Sequence, residues 1–134
     1  AYKPGYRLAG VLVQEMCAGL GEALIGVTRD PLVGPVVTVG MGGVMTEIYR
    51  DAAVRPAPVT VEVAREMIDE VKGFALLRGF RGKPNGDLDA LARTVAAVSR
   101  IALAERVEEA EINPVLVRSE GEGVVLLDAL VRLK

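Results

Sequence analysis

AEINPVLVR (Ala110–Arg118) and GVVLLDALV (Gly123–Val131) are two Val- and Leu-rich runs joined by SEGE (Ser119–Glu122). Two apolar runs around a short polar, glycine-containing link predict a β-hairpin. With the loop confined to Ser119–Glu122, Arg118 faces Gly123 and opposed residue numbers sum to 241; a two-residue turn at Glu120-Gly121 gives the same pairing. Asn113 then lies across from Asp128. Directly opposed side chains share a face, with Cβ atoms about 4.5–5.5 Å apart. Glu111, two residues earlier, points to the same side. An amide and a carboxylate so placed are hard oxygen donors that can jointly hold Mg²⁺, which usually shares its ligands with substrate phosphates. The same residues also suit the wet side of an antiparallel sheet. A three- or five-residue loop would separate Asn113 and Asp128 onto opposite faces.

Upstream of the hairpin, two helices are expected. Asp87 caps one whose apolar stripe is Leu88, Leu91, Ala92, Val95, Val98 and Ala102, with a charged, solvated end at Glu105–Glu109. Thr60 caps the other; Glu62 lies in its first turn, Ala64, Met67, Ile68 and Val71 recur at helical spacing, and Gly73 is placed to stop it. Phe74–Phe80 is ambiguous between the two, and RGKPNG (Arg81–Gly86) is a loop.

The first sixty residues read as strands: Leu8–Met16, Glu22–Thr28, Pro35–Val39, Thr46–Tyr49 and Ala52–Pro58, with Arg29-Asp30-Pro31 as a turn. Turn signals every 8–12 residues or so suit an antiparallel sheet rather than βαβ units. The fold class is therefore α+β in one domain: an antiparallel sheet, two main helices and a C-terminal β-hairpin. Two segments within the strand region bear on ligands. Gln14, Glu15, Met16 and Cys17 lead into a small-residue bend followed by Glu22. Such a bend exposes backbone N–H and C=O groups that can read a purine edge, with the acid left to meet ribose hydroxyls, although a plain loop between strands explains it as well. GMGG (Gly40–Gly43) allows close approach of backbone to a ligand or simply a tight turn, and lacks the ending of a Walker A loop. Arg55 is a phosphate contact or a surface charge.

Composition narrows the chemistry. In 134 residues there are 16 Lys and Arg against 18 Asp and Glu, and this near balance argues against a nucleic-acid partner. No apolar run is long enough for a membrane span or a signal-peptide core. Cys17 is the single cysteine, which excludes an internal disulfide and fits a cytoplasmic location. Histidine is absent, so no Ser-His-Asp, Cys-His or His-ligated metal chemistry arises within these residues.

Taken in order, VLVQEM (Val11–Met16), GVTRDPLVGPVV (Gly26–Val37), GMGG with EIYRDAAVRPAP (Glu47–Pro58), LLRGFRG (Leu76–Gly82), EINPVLV (Glu111–Val117) and LLDA (Leu126–Ala129) resemble the C-terminal part of the ATP-grasp domain of ADP-forming acyl-CoA (acetate–CoA) synthetases, relatives of the succinyl-CoA synthetase β subunit. The resemblance covers nearly the whole chain. It implies Asn113 and Asp128 as ligands of the nucleotide's Mg²⁺, and Glu111 as a catalytic acid near the docking place of a phosphohistidine. It implies Gln14, Glu15, Met16 and Cys17 as the adenine-lining hinge and Glu22 as a ribose contact. Arg55 (as a catalytic residue) and Glu47 fall in family motifs.

The family's reaction phosphorylates a histidine from ATP, passes the phosphoryl group to a small carboxylic acid and displaces it with CoA. Cofactors implied are Mg²⁺ and ATP or ADP; partners implied are a CoA-ligase module carrying the histidine and the N-terminal lobe of the ATP-grasp domain. Some dozen residues precede the hinge, so that lobe is expected to be missing and residues 1–134 to be a fragment of a larger module, inactive alone. A regulatory module fused to a protein acetyltransferase, or a nucleotide-free interaction domain, would carry the same residues.

Overall fold

The computed structural model describes residues 9–43 and 51–134. Thr46–Tyr49 and Glu47 lie outside them. Six strands, β1 (Gly21–Asp30), β2 (Gly34–Met41), β3 (Ala52–Pro56), β4 (Val107–Val117), β5 (Val124–Leu126) and β6 (Ala129–Leu133), form one antiparallel sheet. Its order is β3-β2-β1-β4-β5, with β6 also on β4. Two helices, α1 (Val61–Glu70) and α2 (Leu88–Ser99), pack on one side of it.

The alternation along β1 explains the layering. Ala23, Ile25 and Val27 are buried and lie opposite Met41, Val39 and Val37 of β2 and Val115, Ile112 and Ala110 of β4. Those rows meet Met67, Ile68, Phe74, Leu91 and Val95 in a single apolar core. The intervening residues, Glu22, Leu24, Gly26 and Thr28, point to the other face, which no helix among the described residues covers. This open face is where the hairpin presents Asn113.

Both helix caps form as expected. Thr60 Oγ1 accepts the Val63 N–H at 3.3 Å, and Asp87 Oδ1 accepts the Ala90 N–H at 2.9 Å. Gly73 does not stop α1: the helix ends at Glu70, and Lys72–Leu77 forms a 3₁₀ segment that drives Phe74 into the core. Its first turn is held by Asp51, whose carboxylate accepts the N–H groups of Lys72 and Gly73 at 3.1 and 2.6 Å. α2 stops at Ser99, and Ala102 is buried from the following 3₁₀ turn, while Leu88 is half-buried. Arg29 closes that end by donating to the carbonyls of Ala102, Ala104 and Val107 at 2.7–3.0 Å, supplying donors to backbone acceptors that lack helical partners.

Ser99 Oγ, fully buried, donates to the Ala96 carbonyl at 2.7 Å and accepts the Val59 N–H at 3.0 Å, tying α2 to the turn before α1. Ser99→Ala leaves that N–H without a partner and is expected to lower stability by about 1–3 kcal/mol, read as a shift in the urea unfolding midpoint.

Three expected boundaries change. Of Leu8–Met16, the described part from Ala9 onward is in no strand, and Val11, Val13 and Met16 are 85%, 89% and 93% exposed. Val/Leu content sets strand propensity, but a strand needs a neighbour, and none pairs with this segment among the described residues. Glu105–Glu109 is not a solvated helix end: Glu108 and Glu109 belong to β4 and pair with Arg132 of β6. Gly123–Val131 is two strands, because Pro114 offers no N–H to the strand opposite and the ladder breaks at Leu127–Asp128. Among the described residues no helix is long and apolar enough to cross a membrane.

Candidate functional site

The hairpin register is the expected one. Arg118 N–H donates to the Gly123 carbonyl at 3.1 Å, and Val117, Leu116 and Val115 pair with Val124, Val125 and Leu126. Across the break, Leu127 N–H donates to the Pro114 carbonyl and Asn113 N–H to the Asp128 carbonyl, each at 3.1 Å. Ile112 with Ala129 and Glu111 with Leu130 continue the same register. Asn113 and Asp128 are thus opposed across the two strands.

A bulge aims Asn113. Ala23 pairs with Val115 and Ile25 with Ile112, so Leu24 alone opposes both Asn113 and Pro114. Such a two-against-one step kinks a strand and redirects a side chain. Ile112 is buried toward the helices while Asn113 and Glu111 are half-buried on the open side, and Asp128 is exposed. The Asn113 Oδ1 accepts the Gly43 N–H at 2.9 Å. Gly42, just before, donates its N–H to the Glu22 carbonyl at 2.9 Å. The Glu22 carboxylate lies against Gly43, so close that a Cβ there would stand 2.0 Å from Oε2. Glu22, Asn113 and the end of GMGG therefore meet on the face and at the end of the sheet where Asp128 opposes Asn113. Spacing did not foresee this meeting; the clustered glycines after β2 were its only sequence signal.

The segment expected to line an adenine leads into the sheet nearby. Gln14, Glu15 and Met16 are exposed and Cys17 half-buried. Gly19 passes so tightly over Leu116 that a Cβ would come within 2.5 Å of its Cγ, and Leu20 N–H donates to the Val117 carbonyl at 2.8 Å. Leu116 pairs with Glu22, so the segment enters β1 beside the open face. Arg55 is not brought to this group. It shares the helix-covered side with its partner Val37 and forms an ion pair with Glu70 of α1.

Asp87 does more than cap α2. Its Oδ2 accepts the N–H groups of Gly121 and Gly123 at 3.0 and 2.9 Å, binding the hairpin turn to the helix. The Ala90 N–H above all, then those of Gly123 and Gly121 and the charge of Arg93, hold its carboxyl below the usual carboxylate range against the opposing effect of burial. Beside it lies an open cleft of about 580 Å³ lined by Arg78, Asn85, Asp87, Asp89, Arg93 and Glu120. None of the candidate ligand residues lines this cleft, and Asp87 is committed to backbone groups there.

The profile of the ATP-grasp domain family matches residues 1–133. The chain belongs to the ATP-grasp family. This ATP-grasp chain is 44% identical over 123 residues to acetate–CoA ligase [ADP-forming] I of Archaeoglobus fulgidus, covering 91% of the chain and 18% of that protein. It is 38% identical over 135 residues to the β subunit of acetate–CoA ligase [ADP-forming] II of Pyrococcus furiosus, covering 99% of the chain and 57% of that subunit. It superposes with TM-score 0.82 and 38% identity on a dinucleotide forming acetyl-coenzyme A synthetase 1 of Ca. Korarchaeum cryptofilum, over 89% of this chain and 55% of that one. That structure is a complex with coenzyme A and Mg-AMPPCP, its phosphohistidine segment pointing towards the nucleotide binding site. The ATP-grasp chain spans well under two thirds of each of these proteins.

Proposed function

We propose that these residues form the cation-holding half of the nucleotide site in an ADP-forming acid–CoA ligase, with the other lobe, the CoA-ligase module and its phosphohistidine supplied by further domains. The observation that carries this reading is the opposition of Asn113 and Asp128 across the hairpin. The donor chemistry fits a hard divalent ion: Asn113 and Asp128 offer an amide oxygen and a carboxylate. Among the described residues no three acidic, Cys or His side chains converge into a complete metal cage. Asn113 and Asp128 would thus hold Mg²⁺ with phosphate oxygens and water completing its shell, as is usual for this ion. When bound, the ion neutralises charge on the transferring phosphoryl group.

The chain's own residues have separate tasks. The exposed segment Gln14–Cys17 offers backbone donors and acceptors to an adenine edge, and Glu22 is the nearest acid to it on β1. Glu111, one step along the open face from Asn113, would orient the imidazole of an incoming phosphohistidine. A small carboxylic acid and CoA are substrates of the other module, and their identity is set there.

Calorimetric titration of the full-length protein with ADP, with and without Mg²⁺, tests the assignment. Mg²⁺ is expected to tighten ADP binding, and Asn113→Ala to remove most of that gain while leaving metal-free binding unchanged. Equal gains in both proteins would exclude Asn113 as a ligand.

A further inference from the structure

We propose that Gly43 is a positioning residue for the cation site, an inference that rests on the Mg²⁺ role of Asn113 proposed above. Two independent contacts meet at this one backbone unit. Its N–H donates to Asn113 Oδ1 at 2.9 Å. Its missing side chain leaves the space filled by the Glu22 carboxylate, since a Cβ would lie 2.0 Å from Oε2 and 3.3 Å from Cδ. Its φ of +72° is a left-handed conformation that glycine adopts without strain.

The consequence for Asn113 is orientational. An amide side chain can present either its oxygen or its NH₂ to a given direction, and only the oxygen ligates a cation. A backbone N–H can be satisfied only by the oxygen, so the Gly43 bond fixes which end of the amide turns toward the turn, while the oxygen's second lone pair stays available. Partners that orient a ligand in this way affect metal affinity by about 10- to 100-fold when lost. Glu22 completes the arrangement. It brings a carboxylate to the same glycine, so its charge belongs with the cation side of the nucleotide as well as with β1.

Replacing Gly43 by alanine adds one methyl group against the far end of a flexible Glu side chain and forces a left-handed alanine. The fold has room to survive this, because the carboxylate can swing aside. The local geometry does not. In the full-length protein, Gly43→Ala is expected to keep its metal-free affinity for ADP and to lose about tenfold of the tightening given by Mg²⁺. Glu22→Asp introduced together with Gly43→Ala draws the carboxylate back by one methylene while keeping its charge, and is expected to restore part of the Mg²⁺ gain, a rescue that a general loss of stability would not produce. A wild-type protein whose ADP affinity ignores Mg²⁺ overturns the cation assignment and this inference together. A wild type that responds to Mg²⁺ while Gly43→Ala responds equally overturns this inference alone. So does a Gly43→Ala defect that the second substitution leaves unchanged.

Discussion

Asp128→Ala in the full-length protein is expected to lower phosphorylation of the partner histidine by about 100- to 1,000-fold, the loss typical of removing one preorganised charge-stabilising group. The fold should be untouched. Asp128 is exposed at the break between β5 and β6, and its contact with β4 is made by its backbone carbonyl, which accepts the Asn113 N–H and survives the substitution. Loss of a carboxylate from the surface of a broken strand costs no core packing, so the melting temperature should hold while phosphoryl transfer fails. Measured by transfer of labelled phosphate from ATP, undiminished labelling in a folded Asp128→Ala protein would remove the residue from the mechanism. Asp128→Asn separates charge from shape: it keeps one oxygen donor and should fall between wild type and alanine.

Asp87→Ala should lower stability strongly, by about 2–4 kcal/mol. One carboxylate satisfies three backbone N–H groups, those of Ala90, Gly121 and Gly123, and alanine orphans all of them at once. The damage should also reach the functional face, because the turn it anchors sets the register that opposes Asn113 and Asp128. Asp87→Ala is thus expected to weaken Mg²⁺-dependent nucleotide binding without touching a ligand. Its pH dependence follows from the same bonds. The folded carboxyl titrates below its unfolded value of about 3.9, so its contribution is fully present above that pH and is lost as the pH falls through the lower, folded value. Urea midpoints measured from pH 6 down to pH 2 should decline less steeply in Asp87→Ala than in wild type. Parallel curves would contradict the role of this carboxylate.

What was legible from residue order divides along physical lines. The hairpin was readable because its link is short: a loop confined to Ser119–Glu122 brings Asn113 across from Asp128, whereas a three- or five-residue loop would have parted them. The helix caps Thr60 and Asp87 were readable because capping is local. Leu8–Met16 misled because Val and Leu content reports propensity and says nothing about whether a neighbouring strand is present. Gly123–Val131 looked continuous because the break comes from Pro114 on the opposite strand, not from its own residues. Asp87 was legible as a cap yet silent as a tether, since Gly121 and Gly123 lie far along the chain. The meeting of Glu22, Gly43 and Asn113 was hidden for the same reason: it joins β1, the turn after β2 and β4. Arg55 sat in a suggestive motif, and the alternation of β3 turned it to the helices and Glu70.

Anomalous diffraction from crystals of the full-length protein grown with Mn²⁺ and ADP would test the cation assignment most directly. The expected result is one manganese peak bonded to the Asn113 amide oxygen and the Asp128 carboxylate on the helix-free face of the sheet. A nucleotide-associated peak ligated by other residues, with Asn113 and Asp128 bonded to neither metal nor its water, would contradict it.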